Sequence, residues 1–153
     1  MRLIISAIGK MKKNSPEYAL ISDYIRISKW KISLLENEIK EKRSGTDLKQ
    51  TEGDLLLKTI PPSAKVVVLD EHGEQLTSKE LSSQLVKWQD SGVQNVVFLI
   101  GGADGHSDIV KKRADLLFSL GQITLPHMLA RVVLTEQLFR AKCIADNHPY
   151  HRE

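Results

Sequence analysis

Apolar residues along this chain fall into two kinds of stretch: short unbroken runs, and longer segments in which they recur every three or four positions. The clearest runs are Arg2–Ile8 (RLIISAI), Lys65–Asp70 (KVVVLD) and Val96–Ile100 (VVFLI), with shorter ones at Lys31–Glu36 and Leu116–Leu120. Rich in β-branched residues, they predict strands buried on both faces, as in a parallel sheet between helices. The periodic segments predict helices. Ser15-Pro16-Glu17 offers a cap, a first-turn proline and an acid, opening a helix to about Lys29. Tyr18, Ile21, Tyr24, Ile25 and Ser28 share its buried face. A second helix covers Asp47–Thr59 and is stopped by Pro61-Pro62. Thr77-Ser78-Lys79-Glu80 is a capping box for a third, running through Trp88 and closed by Gly92. Ser107-Asp108 is expected to cap a short basic helix, IVKKRAD, and Pro126 to start the longest one, ending near Ala145. Strands alternating with helices predict an α/β fold, a mostly parallel sheet with helices on both faces, in one domain over residues 1–153.

Composition narrows the class. The 153 residues are 41% hydrophobic and 27% charged, ordinary for a globular protein with a real core. No apolar run is long enough to span a bilayer, and MRLIISAIGK is too short and strand-like for a signal peptide. The single cysteine, Cys143, excludes an intramolecular disulfide and suits a cytoplasmic protein. A net charge of +3 permits an anionic partner such as RNA without demanding one.

The chain is organised around VVFLIGGADG, where the Val96–Ile100 run ends in Gly101, Gly102 and Gly105. Glycines at the carboxyl end of such a strand let a ligand approach main-chain amides, and that edge is where α/β sheets bind ligands. The dinucleotide fingerprint does not fit, because the G-x-G spacing is absent and the loop comes late in the chain. No P-loop lysine follows either. A metal clasp from His148, His151 and Glu153 is disfavoured by the intervening Pro149 and the lone cysteine. Cys143 lies in an apolar helical pattern with Leu138 and Phe139 and reads as packing. The segment EIKEKRSGTD reads as a solvated loop or a basic arm near an anionic ligand. Within the last helix the apolar residues cover more than one face, which suits burial against the sheet and a second subunit. Glu136 and Arg140 form an i,i+4 pair there. The tail, DNHPYHRE, gathers acid/base, stacking and phosphate-binding side chains in its last six residues.

IGGADG, LGQITLPHMLARVVLTEQLFRA and the terminal NHPYHRE, in that order, resemble the small SPOUT-class methyltransferases of large-subunit ribosomal RNA, along the whole chain. The resemblance implies methyl transfer from S-adenosylmethionine to N3 of pseudouridine 1915 in 23S rRNA, on the assembled ribosome. It implies a homodimer, a C-terminal deep trefoil knot, and a cofactor bent in that knot. By the same resemblance the cofactor would contact Leu69, Gly101, Leu120, Gly121, Gln122, Ile123, Thr124 and Leu125. Ala103-Asp104 stands where some members carry Pro-Glu, and Gly121 where others have a larger residue.

Displacement at a sulfonium needs no metal, whereas the weakly acidic N3 imide must lose a proton or be stabilised as an anion. His151 and Tyr150 are candidates to orient or deprotonate the base, Arg152 to meet the anion or a phosphate, and Glu136 with Arg140 to hold the tail. Lys12, Lys13, Lys42, Arg43, Lys111, Lys112 and Arg113 are candidate phosphate contacts. With no appended RNA-binding domain, recognition of an assembled ribosome fits the modest charge. Two rivals are a non-catalytic ribosome-binding protein of the same fold and a methyltransferase of tRNA.

Overall fold

The computed structural model describes residues 1–41 and 45–152. Five strands and five helices follow in the order β1 (Arg2–Ile8), α1 (Pro16–Ile27), β2 (Lys31–Asn37), α2 (Gly45–Lys58), β3 (Lys65–Gln75), α3 (Ser78–Asp90), β4 (Asn95–Ile100), α4 (Asp108–Arg113), β5 (Leu116–Ser119) and α5 (His127–Ala145). All strand pairings are parallel, in the order β2-β1-β4-β3-β5.

Alternation along the strands sorts two cores. Leu3, Ile5 and Ala7 of β1, Val67 of β3 and Val96, Phe98 and Ile100 of β4 face α3 and α5, meeting Leu81, Leu85, Leu134 and Leu138. Ile4, Ile8, Val66, Val68, Val97 and Leu99 face the other way, onto Leu56 of α2 and Val110 of α4. Both faces are therefore covered, and the unbroken apolar runs have their cause in that double burial.

Three expectations need correction. β3 does not end at Asp70 but continues to Gln75, with a register shift in which Leu69 and Glu74 both lie opposite Phe118. Gly73 makes this possible, because a Cβ there would come within 2.7 Å of the Phe118 backbone. α2 starts at Gly45, two residues before Asp47. Ser107 has the extended backbone of a cap, yet its side chain makes no capping bond; it packs on Gly53 of α2, where a Cβ would lie 2.5 Å from its Oγ. The capping box at Thr77 and the Ser15 cap form as expected. Lys42 and Arg43, in the expected basic arm, lie outside the described residues.

Candidate active site

In a parallel sheet all carboxyl ends share one edge, and here those of β4 and β5, with the register shift of β3, surround a cleft of about 700 Å³. Its walls come from the middle of β3, where its register shifts (Leu69 to His72), the end of β4 and the loop after it (Ile100 to His106), and the loop after β5 (Leu120 to Leu125). His127 and Ala130 of α5 close one side. All eight residues expected to contact a cofactor, Leu69, Gly101, Leu120, Gly121, Gln122, Ile123, Thr124 and Leu125, line this one cleft.

The β4 glycine loop is braced from three directions. The Gly101 amide donates to His106 Nε2 at 3.2 Å, and its carbonyl contacts His127 Nε2. Gly105 turns back to donate to the Gly102 carbonyl at 3.1 Å, with φ of +77°. Behind Gly102 stands Glu52 of α2, so close that a Cβ on Gly102 would meet its carboxylate at 2.6 Å. Burial raises the Glu52 pKa above its ordinary value; the Gly102 amide opposes this and Asp104 adds to it. Burial lowers the pKa of His106 against the opposing pull of Asp70. The shift favours the neutral imidazole, which with Nε2 accepting from Gly101 carries its proton on Nδ1. Asp70 resists the effect of its own burial, because the His72 amide and Lys111 hold its pKa low; Lys111 Nζ lies 3.3 Å from Asp70 Oδ2.

A nucleoside-bearing cofactor fits what these loops offer. The volume is within the usual range for such ligands, and the lining mixes backbone groups with Leu69, Phe118, Leu120 and Leu125. At Gly105 and Gly121 a Cβ would find no neighbour within 4 Å, so space is left beside the main chain. Ser119 Oγ stitches the start of the β5 loop, accepting from the Gly121 amide at 3.2 Å. Ile123 is 77% exposed at its tip.

The five residues expected to be catalytic gather elsewhere, on the far part of α5. Asn147 takes φ of +54° and reverses the chain, with the His148 amide donating to the Cys143 carbonyl at 2.8 Å. That turn lays the tail back along the helix. Tyr150 packs edge-on against Phe139 with ring centroids 4.7 Å apart, and its hydroxyl donates to Glu136 Oε1 at 3.0 Å. Arg140 binds the same oxygen through NH2 at 2.5 Å, lies over the Tyr150 ring at 4.7 Å, and donates to His151 Nδ1 at 3.3 Å. The hydrogen bond with Glu136 raises the Arg140 pKa. Burial, reinforced by Tyr24 and Glu136, raises that of the Tyr150 phenol. Arg152 is exposed, and none of the five lines the cleft of its own chain.

A family model described as a predicted SPOUT methyltransferase matches residues 1–151. The chain belongs to the SPOUT methyltransferase family. It is 51% identical over 152 residues to a ribosomal RNA large subunit methyltransferase H of Paramagnetospirillum magneticum, covering 99% of each chain. Proteins of the same name from Rhodospirillum centenum and Paracoccus denitrificans are 42% and 41% identical, covering 99% and 100% of each chain.

Sequence reasoning missed several residues of this SPOUT site. Arg131 is fully buried in α5; its NH2 donates to the carbonyls of Ile8 and Gly9 at 2.6 and 2.9 Å, and its NH1 to Glu36 Oε2 at 3.0 Å. Its signal was a charge three and seven positions before the core residues Leu134 and Leu138, on the apolar face. Glu52, His106 and His127 had no comparable signal, since each reads as a surface or turn residue until the loops meet. Of the basic candidates, Lys111 and Arg113 are tied to Asp70 and Asp115, whereas Lys12, Lys13 and Lys112 are exposed. Cys143 is buried, its pKa raised by burial, as a packing thiol would be. Among the described residues no helix is long and apolar enough to cross a membrane.

Proposed function

We propose that this SPOUT methyltransferase transfers a methyl group from S-adenosylmethionine to N3 of pseudouridine 1915 in 23S rRNA, working on the assembled ribosome as a cytoplasmic homodimer. The observation that carries the reading is the full-length similarity to ribosomal RNA large subunit methyltransferases. The geometry supports it independently, because the expected cofactor residues converge in one cleft of suitable size. The proposed protein is a single domain whose C-terminal half is threaded as a trefoil knot, as the family implies.

Leu69, Gly101 and Leu120–Leu125 would hold the cofactor, which when bound supplies an electrophilic methyl group on a sulfonium. The protein must then present N3 in line and manage its proton. Tyr150 keeps its phenolic proton at neutral pH, so its role is to orient rather than to deprotonate. Where Arg140 donates to His151 Nδ1, a neutral imidazole carries its proton on Nε2. That nitrogen is buried and without a protein partner, so a shift of the tail that uncovers it would turn it toward a uracil carbonyl as negative charge develops. Arg152, exposed at the end of the tail, supplies a cation for the same anion or for a phosphate. Glu136 and Arg140 hold the tail in its fold-back. Because the tail lies away from its own cleft, the cleft of one subunit works with the tail of the other.

The test uses purified protein, tritiated S-adenosylmethionine and unmethylated bacterial ribosomes beside protein-free rRNA and tRNA. Label on the ribosome, mapped to N3 of one pseudouridine, is the expected result. Label on free rRNA or tRNA alone would replace the substrate. No transfer and no cofactor binding would make the chain a ribosome-binding protein of the same fold.

A further inference from the structure

The loop that joins β1 to α1, residues 9–15, is fixed from beneath and basic on top. Met11 is buried, and its amide donates to Glu36 Oε2 at 2.5 Å. Arg131 holds the carbonyls of Ile8 and Gly9. The Gly9 amide donates to the Asn37 carbonyl at 2.7 Å, and Ser15 closes on the Lys12 carbonyl through its amide at 3.0 Å and its hydroxyl at 2.6 Å. Over this base Lys10, Lys12 and Lys13 are all exposed, and among the described residues none of the three takes part in an ion pair. Glu36, which holds the loop from beneath, is already paired with Arg131.

The position of the loop matters as much as its charge. It leaves the carboxyl end of β1, whose neighbour β4 carries the glycine loop at the same edge. Arg131, which holds it, follows Ala130 of the cleft wall and sits one turn after His127, which touches Gly101. One helix therefore fixes both the cleft and the lysine loop.

We propose that Lys10, Lys12 and Lys13 form a preorganised phosphate-contact edge that grips the backbone of the RNA substrate beside the cleft. This rests on the reading of the chain as an rRNA methyltransferase. A lysine is a point charge suited to phosphate oxygens, and each contact that neutralises a phosphate releases counterions, which makes binding salt-dependent. A loop already ordered gives up less conformational freedom when RNA binds.

The test compares wild type, the triple variant Lys10→Ala/Lys12→Ala/Lys13→Ala, and Lys87→Ala at the opposite edge of the sheet as a control. Cofactor affinity is measured by calorimetry, and kcat/KM for unmethylated ribosomes over a series of KCl concentrations. The triple variant is expected to bind cofactor as wild type does and to raise the ribosome KM about 10-fold or more. Its slope of log kcat/KM against log salt should flatten by about two units. A triple variant that matches Lys87→Ala in KM and salt slope, beside an active wild type, overturns this proposal alone. A wild type that binds cofactor but labels no ribosome overturns the functional reading and this proposal together.

Discussion

The guanidinium of Arg131, with no exposed surface, meets the carboxylate of Glu36 at 3.0 Å across 95 residues of sequence. Glu36 also accepts the Met11 amide, and Arg131 also binds the end of β1, so the pair joins α5, β2 and the β1–α1 loop. Burial alone lowers the pKa of Arg131, and Glu36 opposes that shift. Removing Glu36 leaves the buried Arg131 cation unpaired, whereas removing Arg131 leaves a half-buried Glu36 and frees the carbonyls of Ile8 and Gly9. Arg131→Met is expected to cost about 3–5 kcal/mol in urea unfolding. Glu36→Gln keeps an acceptor for Met11 but strands the buried Arg131 charge, and should also cost about 3 kcal/mol or more.

At Gly102 a methyl group fits only if the Glu52 carboxylate moves aside. Gly102→Ala would drive a methyl group into the buried Glu52 carboxylate. A loss of about 1–3 kcal/mol in stability is expected, with weaker cofactor binding by calorimetry. Glu52→Ala removes the obstacle, so the double variant should be less destabilised than the sum of the two singles. Strict additivity in that cycle would show that the clash does not exist.

His106 gives a pH dependence whose sign follows from its burial. Its folded-state pKa lies below the ordinary 6.5, so under slightly acidic conditions the unfolded chain binds a proton that the native state refuses. Stability should therefore fall as pH drops through 6.5 toward the lowered folded value. His106→Gln keeps an acceptor for the Gly101 amide and does not titrate. Chemical denaturation from pH 7.5 downward should give a shallower decline for the variant than for wild type.

Tyr150 should be dispensable as an acid or base but not as a contact. Tyr150→Phe retains the edge-on packing against Phe139 and loses the hydroxyl's bonds to Glu136 and Tyr24. The pH–rate profile of the variant should keep the wild-type shape, with a uniform drop of a few-fold in kcat. A limb that disappears from the profile would instead assign Tyr150 the proton.

Much of the fold was legible because double burial leaves a simple trace. Short unbroken apolar runs such as KVVVLD and VVFLI suit a strand covered on both faces, and the Ser15 and Thr77 caps mark their helices by chemistry confined to four residues. The second half of β3 was not legible. Asp70, Glu71, His72 and Gly73 carry the polarity of a turn, and only the close passage of Gly73 over Phe118 lets them continue as strand. The cleft followed from where strands end, together with the family resemblance. The fold-back of the tail depends on one Asn in a left-handed conformation, and the bracing of Gly101 on two histidines that meet only when three loops converge. Such long-range contacts leave no local signature.

The placement of α5 reaches beyond geometry. Ala130 borders the cleft while Arg140 anchors the tail, about 15 Å further along the same helix. A rigid helix keeps the two apart within one chain. If the reacting groups come from two subunits, catalysis obeys mass action in the protein itself. Activity per molecule should then fall on dilution through the dimer dissociation constant, long before any fold is lost. Two differently disabled chains, one lacking the tail and one with a blocked cleft, should regain activity when mixed.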